Sequence, residues 1–287
     1  HPRYEFGRSR QVLAELGPRL EALALEAKAA GIALTVDAEE AERLELSLIL
    51  VDRLLEAPAL AGWDGLGLAV QAYSKRAPDV IRYLQGRTEA TKRVLNVRLV
   101  KGAYWDSEIK RAQERGLPGY PVFTRKPNTD VAYLACARIL LEGTMRVYPQ
   151  FATHNAHTAA SIIHLAGPRG RAFEFQRLHG MGEELYAELT DPAGRNLPCR
   201  VYAPVGSHEE LLPYLVRRLL ENGSNTSFVN RIVDESLPVE EVVGDPVADV
   251  GNAACGPHPR IPLPRGLFGA ERANSAGVNL PDGGEQR

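Results

Sequence analysis

Hydrophobic positions along the chain alternate between a strand-like and a helical spacing. Short runs rich in branched and aliphatic residues occur six times, at 32–36, 66–70, 97–100, 147–152, 172–175 and 200–203. Longer stretches with apolar residues three and four positions apart predict helices at 9–30, 39–55, 78–94, 106–115, 130–141, 158–165, 184–189 and 208–222. A helix therefore follows every predicted strand, and a loop rich in Pro and Gly covers 116–128.

This alternation predicts an α/β fold with a parallel sheet and right-handed crossovers. A doubly wound sheet and a (βα)8 TIM barrel share the pattern. Polar residues close most of the predicted strands, namely Asp37, Gln71, Lys101, Thr153 and His154. Because the carboxyl ends of all strands meet at one face of a barrel, we favour the barrel, of which six strand–helix units are evident.

The composition changes after about residue 233, and Pro, Gly, Ala and Asn dominate from 244 to 284. No periodic pattern persists in that stretch. We therefore predict a barrel domain over residues 1–235 and a C-terminal tail or linker over 236–287. Two states of the tail stay open, packing on the surface and disorder.

Composition narrows the classes of protein to consider. With 287 residues and a formal charge of −2, the chain has no basic stripe that would favour nucleic acid. It contains no apolar run near the roughly 20 residues of a membrane span. The three cysteines are widely spaced and no His or Cys pattern has metal-ligand spacing, so we expect reduced thiols, a cytoplasmic location and no metal. The chain opens with His and without a signal-peptide pattern, from which we expect an isolated piece of a longer protein.

The third predicted strand and the residues after it carry the densest candidate chemistry. Arg98 lies inside the strand, where a cation must find a partner or line a cavity, so a core salt bridge and a ligand contact both stay open. Lys101 follows the strand. Its ammonium could reach solvent along an apolar stem, or it could be a desolvated Schiff-base nucleophile.

Two further groups have both a structural and a functional interpretation. Thr124, Arg125 and Lys126 precede a helix, either as a solvated loop or as a cradle for phosphate. His154 fits a general base, a ligand-binding donor or a helix-cap cluster with Asn155.

The predicted helix at 208–222 has a polar face. Tyr214, Arg217, Arg218 and Glu221 lie at positions i, i+3, i+4 and i+7 and share one side of that helix. Such a stripe is an ordinary solvated face in most helices. The functional alternative is a clamp in which two guanidinium groups bind a substrate carboxylate.

Five long motifs together resemble the proline dehydrogenase (PRODH) domain of bacterial bifunctional proline utilization A (PutA) proteins. They are RLVKGAYWDSEIKRAQERG, YPVFTRKPNTD, YPQFATHNAHT, FEFQRLHGMGEELY and RVYAPVGSHEELLPYLVRRLLENGSNTSFVNRI. The resemblance extends from residue 1 to about residue 282. It implies a distorted (βα)8 barrel that holds FAD at the carboxyl ends of its strands, with two further strands upstream of the position of residue 1.

The resemblance also implies site residues. Those expected to contact the flavin cofactor are Gln71, Arg98, Val100, Gly102, Trp105, Thr124, Lys126, Thr153, His154 and Glu221. Those expected to contact the substrate are Asp37, Ala103, Tyr104, Leu178, Tyr202, Tyr214, Arg217 and Arg218. The expected catalytic residues are Arg98, Tyr104, Arg217 and Arg218.

Several of these residues receive a specific task from the resemblance. Arg98 is expected beside flavin N5, and Gly102 is expected to let the backbone approach the ring. Thr124 and Lys126 would hold the pyrophosphate. Asp37 would pair with the clamp arginines.

The implied reaction is the first step of proline catabolism. L-Proline is oxidised to Δ1-pyrroline-5-carboxylate by hydride transfer to FAD, and the electrons pass to a quinone. Proline-like carboxylates are the expected inhibitors, and a peripheral contact with the inner membrane is left open. Two alternatives stand beside this function, a Schiff-base aldolase that uses Lys101 and a non-catalytic fragment.

Overall fold

The computed structural model describes residues 4–168, 170–223, 244–252 and 257–279, and the side chains of 217–223 and 252 lie outside that description. Its strands are β1 Leu34–Val36, β2 Leu66–Gln71, β3 Leu95–Val100, β4 Val147–Ala152, β5 Glu174–Leu178 and β6 Cys199–Tyr202. Its helices are α1 Ser9–Ala29, α2 Leu44–Glu56, α3 Ala77–Thr91, α4 Trp105–Glu114, α5 Lys126–Glu142, α6 Ala156–Ala166, α7 Glu183–Thr190, α8 His208–Gly223 and α9 Pro246–Asn252.

All six strands are parallel and pair in chain order, from β1 at one edge to β6 at the other. A helix follows each strand, and the sheet curls into a half-barrel. The alternation predicted from the hydrophobic pattern is confirmed for every strand–helix unit. All the carboxyl ends of the strands consequently face one side of the sheet.

The two faces of the sheet differ in chemistry. In β3 the side chains of Leu95, Val97 and Leu99 are fully buried and belong to the main core, which lies between the sheet and the helices. Arg98 alternates with them and therefore lies on the opposite, inner face. A one-residue shift of register would exchange these sets, so the buried leucines fix the position of Arg98.

An aromatic cluster fills the core behind β4 and β5. Phe175 lies at its centre, with ring centroids 5.5 Å from Phe173, 6.4 Å from Phe151 and 6.0 Å from Tyr186. Phe175 and Phe151 are fully buried. The cluster packs helix α7 against the sheet and so supports the strand ends that precede this helix.

Several element boundaries differ from the sequence prediction for identifiable reasons. Helix α3 ends at Thr91 rather than residue 94, because Lys92 adopts the left-handed conformation with φ 57°. Helix α5 begins at Lys126 rather than residue 130, since Pro127 is favourable in the first turn of a helix. Strand β5 begins at Glu174, two residues later than predicted. The preceding chain is held instead by Arg171, whose guanidinium donates to the carbonyls of four residues, Leu140, Gly143, Thr144 and Val147.

The described part of the tail packs on the barrel. Helix α9 packs on α5, and the last described residues run along α4. There, Asn274 donates its amide to the Gln113 carbonyl at 3.1 Å, and the Gly277 N–H donates to the Gly116 carbonyl at 3.0 Å. Of the two states left open, surface packing therefore applies to 244–252 and 257–279. The predicted boundary between residues 235 and 236 lies outside the described residues.

No helix in the described ranges is both long enough and apolar enough to cross a membrane.

We expect Phe175→Ala to lower the free energy of unfolding by about 3–5 kcal/mol, because it leaves a cavity in the centre of the aromatic cluster. Urea unfolding monitored by circular dichroism measures this change. Met145→Ala is the matched control, since that side chain is 72% exposed and its truncation should cost less than about 0.5 kcal/mol. Equal losses in the two variants would contradict the assignment of Phe175 to the core.

Candidate active site

Arg98 is held on the inner face by two partners from other strands. Its Nε donates to Oε1 of Gln176 at 2.8 Å, and its Nη1 donates to the carboxylate of Asp37 at the end of β1. Its guanidinium lies 5.5 Å from the ring centroid of Tyr202. The side chain of Arg98 is only 18% exposed, so these contacts satisfy a cation that has lost most of its water.

A second layer of polar groups orients the Gln176 amide. Its Nε2 donates to Glu174 at 2.8 Å, and Gln150 donates to the same carboxylate at 2.9 Å. Arg200 binds Glu174 through two hydrogen bonds of 2.8 and 3.0 Å. Because Nε2 of Gln176 is committed to a carboxylate, its carbonyl oxygen must point the other way, toward Arg98. Four strands thus contribute to the position of one guanidinium.

Two predicted substrate-side residues adjoin this cluster. Leu178 and Tyr202 are directly paired in the register of β5 and β6, and Leu178 is buried. They therefore place an apolar and an aromatic side chain next to each other at the strand ends, and the aromatic one, Tyr202, lies beside Arg98. This arrangement suits a small, mostly apolar ring with a polar edge.

His154 and Thr153 follow strand β4. Nε2 of His154 accepts the Leu178 N–H at 3.1 Å, which leaves that nitrogen without a proton in this arrangement. The Thr153 carbonyl accepts the Tyr186 hydroxyl at 2.7 Å. Asn155 caps helix α6 by accepting the Thr158 N–H at 3.0 Å, so the capping interpretation is confirmed for that residue.

Gln71 joins the ends of three strands. Its Oε1 accepts the Ala103 N–H at 3.1 Å, and its Nε2 donates to the Glu39 carbonyl at 2.8 Å. It thereby ties the loop after β3 to the loop after β1. Val100, the last residue of β3, is half-buried beside it.

Lys101 forms an ion pair with Asp130 of helix α5. The carboxylate occupies the Lys101 amine, whereas a Schiff-base nucleophile needs an amine that is free to attack a carbonyl carbon. The pair therefore supports a positioning role for Lys101 and argues against the aldolase interpretation.

Gly102 has a conformation and surroundings that only glycine fits. Its φ is +138°, and a Cβ would stand 2.5–2.6 Å from ring atoms of Tyr73. In the structure the Tyr73 ring occupies the position that a Cβ would take, and the expected approach of this backbone to a flavin stays a prediction. Gly102 therefore lets the Tyr73 ring pack beneath the loop that leads into helix α4.

A cavity of about 1020 Å³ opens next to this loop. Four of the predicted cofactor residues line it, namely Gly102, Trp105, Thr124 and Lys126. Lys126 is the first residue of α5, so the free N–H groups of that helix end face the same region. The Trp105 indole donates to the Phe123 carbonyl at 2.8 Å, which fixes the ring at the cavity wall.

Two buried titratable groups support the loops around the cavity. Burial raises the pKa of the Glu108 carboxyl, and the carboxylates of Glu42 and Glu40 raise it further. Burial, and next the Glu108 charge, raise the pKa of the Tyr73 hydroxyl. Tyr73 therefore stays a neutral aromatic wall of the cavity throughout the physiological pH range.

The predicted carboxylate clamp lies outside the described side chains. Helix α8 spans His208–Gly223, close to its predicted bounds, but the side chains of Arg217, Arg218 and Glu221 are not described. Tyr214 on the same face is half-buried. The expected pairing of Asp37 with the clamp arginines therefore stays a prediction. The partner of Asp37 that the structure shows is Arg98.

Sequence reasoning missed several residues of the site. Gln176 and Glu174 lie in the quoted motif FEFQRLHGMGEELY, and their position on the inner face follows from the period of two in β5. Tyr73 and Asp130 carry no such signal, because their contacts depend on how α4 and α5 return to the sheet. The cavity-lining residues of the tail, Asp249, His258, Arg260 and Ile261, carry none either.

We expect Gly102→Ala to lower the free energy of unfolding by about 1–3 kcal/mol, because a Cβ would collide with the Tyr73 ring in a conformation that L residues avoid. Gly86→Ala is the matched control. Gly86 lies inside helix α3, and a Cβ there meets no atom within 4 Å, so this change should raise stability by up to about 1 kcal/mol. Chemical denaturation of both variants checks the opposite signs, and a stabilising Gly102→Ala would contradict the packing described.

Comparison with known proteins gives one consistent family. A family profile described as "Proline dehydrogenase" matches residues 3–231. The bifunctional protein PutA of Salmonella typhimurium is 58% identical over 98% of this chain and 22% of its own length, and that of Escherichia coli is 57% identical over the same shares. The mitochondrial proline dehydrogenase 2 of Arabidopsis thaliana is 32% identical over 53% of this chain and 33% of its own length.

Solved structures agree with this result. A mutant of Bradyrhizobium japonicum proline utilization A has a TM-score of 0.95 and 54% identity, over 100% of this chain and 29% of its own. Proline utilization A from Bdellovibrio bacteriovorus, inactivated by N-propargylglycine, has a TM-score of 0.80 and 31% identity over 86% of this chain and 26% of its own. The predicted distorted (βα)8 barrel fold is confirmed. This chain spans about a fifth of the length of the bacterial bifunctional relatives it matches, and it belongs to the proline dehydrogenase family.

Proposed function

We propose that this chain is the catalytic part of an FAD-dependent proline dehydrogenase, which oxidises L-proline to Δ1-pyrroline-5-carboxylate. The observation that carries the proposal is the fixed guanidinium of Arg98, held by Asp37 and Gln176 beside Tyr202. A positive charge that several polar partners fix on the inner face suits a site that stabilises developing negative charge. Family membership supplies the reaction class.

The residues around the large cavity fit a dinucleotide. Ligand sites commonly measure roughly 300–1,000 Å³, and this cavity of about 1020 Å³ is at the upper end. The hydroxyl of Thr124, the cation of Lys126 and the start of helix α5 together offer donors to a diphosphate. Trp105 adds an aromatic surface. We therefore assign this cavity to FAD, with Gln71, Val100, Thr153, His154 and Glu221 as further proposed contacts.

FAD, when bound, supplies the two-electron acceptor. The protein supplies position and charge. Arg98 would supply a positive charge to the acceptor, and its hydrogen bonds to Gln176 and Asp37 mean that it would need no rearrangement during the reaction. The sequence left a salt bridge and a ligand contact open for Arg98, and under this proposal Arg98 has both roles, with Asp37 as its ion-pair partner.

The substrate is proposed to lie on the side of Leu178 and Tyr202. These two paired residues form a wall, and Ala103 and Tyr104 lie in the loop that follows β3. Arg217 and Arg218 are proposed to bind the carboxylate, with Tyr214 on the same helical face. The relative inactivated by N-propargylglycine supports a substrate that carries an amine next to a carboxylate.

The aldolase alternative has weaker support. Lys101 is committed to Asp130, whereas a Schiff-base nucleophile needs a free amine. Trapping with borohydride and a carbonyl compound would have to label Lys101 if the alternative held.

The proposal also includes a division of the chain into a barrel over 1–235 and a tail over 236–287. It further includes transfer of the electrons to a quinone, a cytoplasmic location and peripheral contact with the inner membrane. They rest on the family alone.

Anaerobic reduction tests the function directly. The chain reconstituted with FAD should show the visible absorbance band of an oxidised flavin, and L-proline should bleach it in a single turnover. D-Proline at the same concentration is the control for stereospecific binding. A preparation that binds FAD but is not bleached by L-proline would contradict the proposed reaction.

We expect Arg98→Met to lower the rate of this bleaching by about 10²-fold, since the charge beside the acceptor is lost while the volume is kept. Stopped-flow absorbance with L-proline measures the rate. Arg138→Met is the matched control, because Arg138 is an exposed residue on the outer side of α5 that pairs only with Glu142 among the described residues. Equal rates in the Arg98 and Arg138 variants would remove Arg98 from the site.

A further inference from the structure

One wall of the large cavity comes from outside the barrel. Asp249, His258, Arg260 and Ile261 line it together with the start of helix α5. The family profile ends at residue 231, before any of them. From its composition, this region is predicted to be a tail or linker.

The wall is anchored close to the cavity. The His258 N–H donates to Oγ1 of Thr124 at 2.9 Å, and the Tyr120 hydroxyl donates to the Pro262 carbonyl at 2.7 Å. Ile261 packs against the small apolar cluster that contains Tyr120 and Val122. Hydrogen bonds and apolar packing therefore fix residues 258–262 over the loop that precedes α5.

The charges on this wall differ from those elsewhere at the cavity. Lys101 is neutralised by Asp130. The guanidinium of Arg260, in contrast, has no hydrogen bond or ion pair with any residue in the described ranges, although it lines the cavity. Arg260 lines the same cavity as Lys126 and the start of helix α5, and together these groups form a set of donors suited to a phosphate group.

We propose that residues 257–262 complete the cofactor site and that Arg260 binds the diphosphate of the dinucleotide together with Thr124 and Lys126. This inference rests on the proposed function, since it takes the occupant to be FAD. It makes the segment after the barrel a binding element. The cavity is then closed from two regions of the chain that are more than a hundred residues apart.

Binding of FAD and riboflavin to the apoprotein tests the proposal without any turnover. The two compounds share the flavin ring, but only FAD carries a diphosphate. We expect Arg260→Ala to weaken FAD about tenfold, the usual effect of losing one charge-assisted hydrogen bond, and to leave riboflavin unchanged. Arg260→Lys should recover part of the loss. Arg265→Ala is the control, an exposed arginine on the same segment that does not line the cavity.

The outcomes distinguish a failure of the proposed Arg260 role from a failure of the proposed proline dehydrogenase function. If wild-type protein binds FAD and Arg260→Ala binds it equally well, the role of Arg260 falls and the proposed function stands. A parallel loss of riboflavin would also overturn the role, because the defect would then not lie at the diphosphate. If the wild-type chain binds no FAD, both proposals fall. Circular dichroism of each variant confirms that it is folded.

Discussion

The central constraint on this molecule is the presence of a cation on the inner face of its sheet. Arg98 alternates with leucines and valine that cannot leave the core, so the guanidinium has to lie where it does. Low exposure makes an unpaired charge at that point expensive. Two groups on the inner face bind the Arg98 guanidinium, the carboxylate of Asp37 after β1 and the side-chain amide of Gln176 in β5. Glu174 in turn orients the Gln176 amide.

This network shows why the site and the fold are hard to separate. Glu174 receives hydrogen bonds from residues of three strands, Gln150, Gln176 and Arg200. Their arrangement depends on the parallel register of β4, β5 and β6. Electrostatic catalysis gains from groups that are already oriented before the reaction starts. Here the orientation is built from the same strand pairing that forms the sheet.

The order of elements and the inner-face position of Arg98 could be predicted from the sequence, because periods of 2 and 3.6 are local properties. The polar strand ends were equally visible, and Gln71 and Lys101 do meet at one side of the sheet. The hydrogen-bond partners of Arg98 could not be predicted from the sequence. Asp37 lies 61 residues from Arg98, and Gln176 lies 78 residues from it, so each contact depends on crossovers whose geometry no local pattern encodes.

Gly102 and the C-terminal tail illustrate two further limits of prediction from the sequence. Gly102 is expected to let the backbone approach a flavin, and the sequence could not show that the Tyr73 ring also packs against this glycine. The tail has the composition of a linker, and composition reports only on the lack of periodic apolar residues. It does not report on hydrogen bonds to another part of the chain, and those bonds hold residues 257–279 against the barrel.

The bond between His258 and Thr124 also has a consequence for the order of folding. It joins residues 134 positions apart, and contacts of such long separation close late because the intervening chain must already be arranged. During synthesis the strands and their helices can pair well before residue 258 is made. The cavity acquires its last wall only afterwards, so a nascent chain would form its sheet and helices first and complete the cavity at the end.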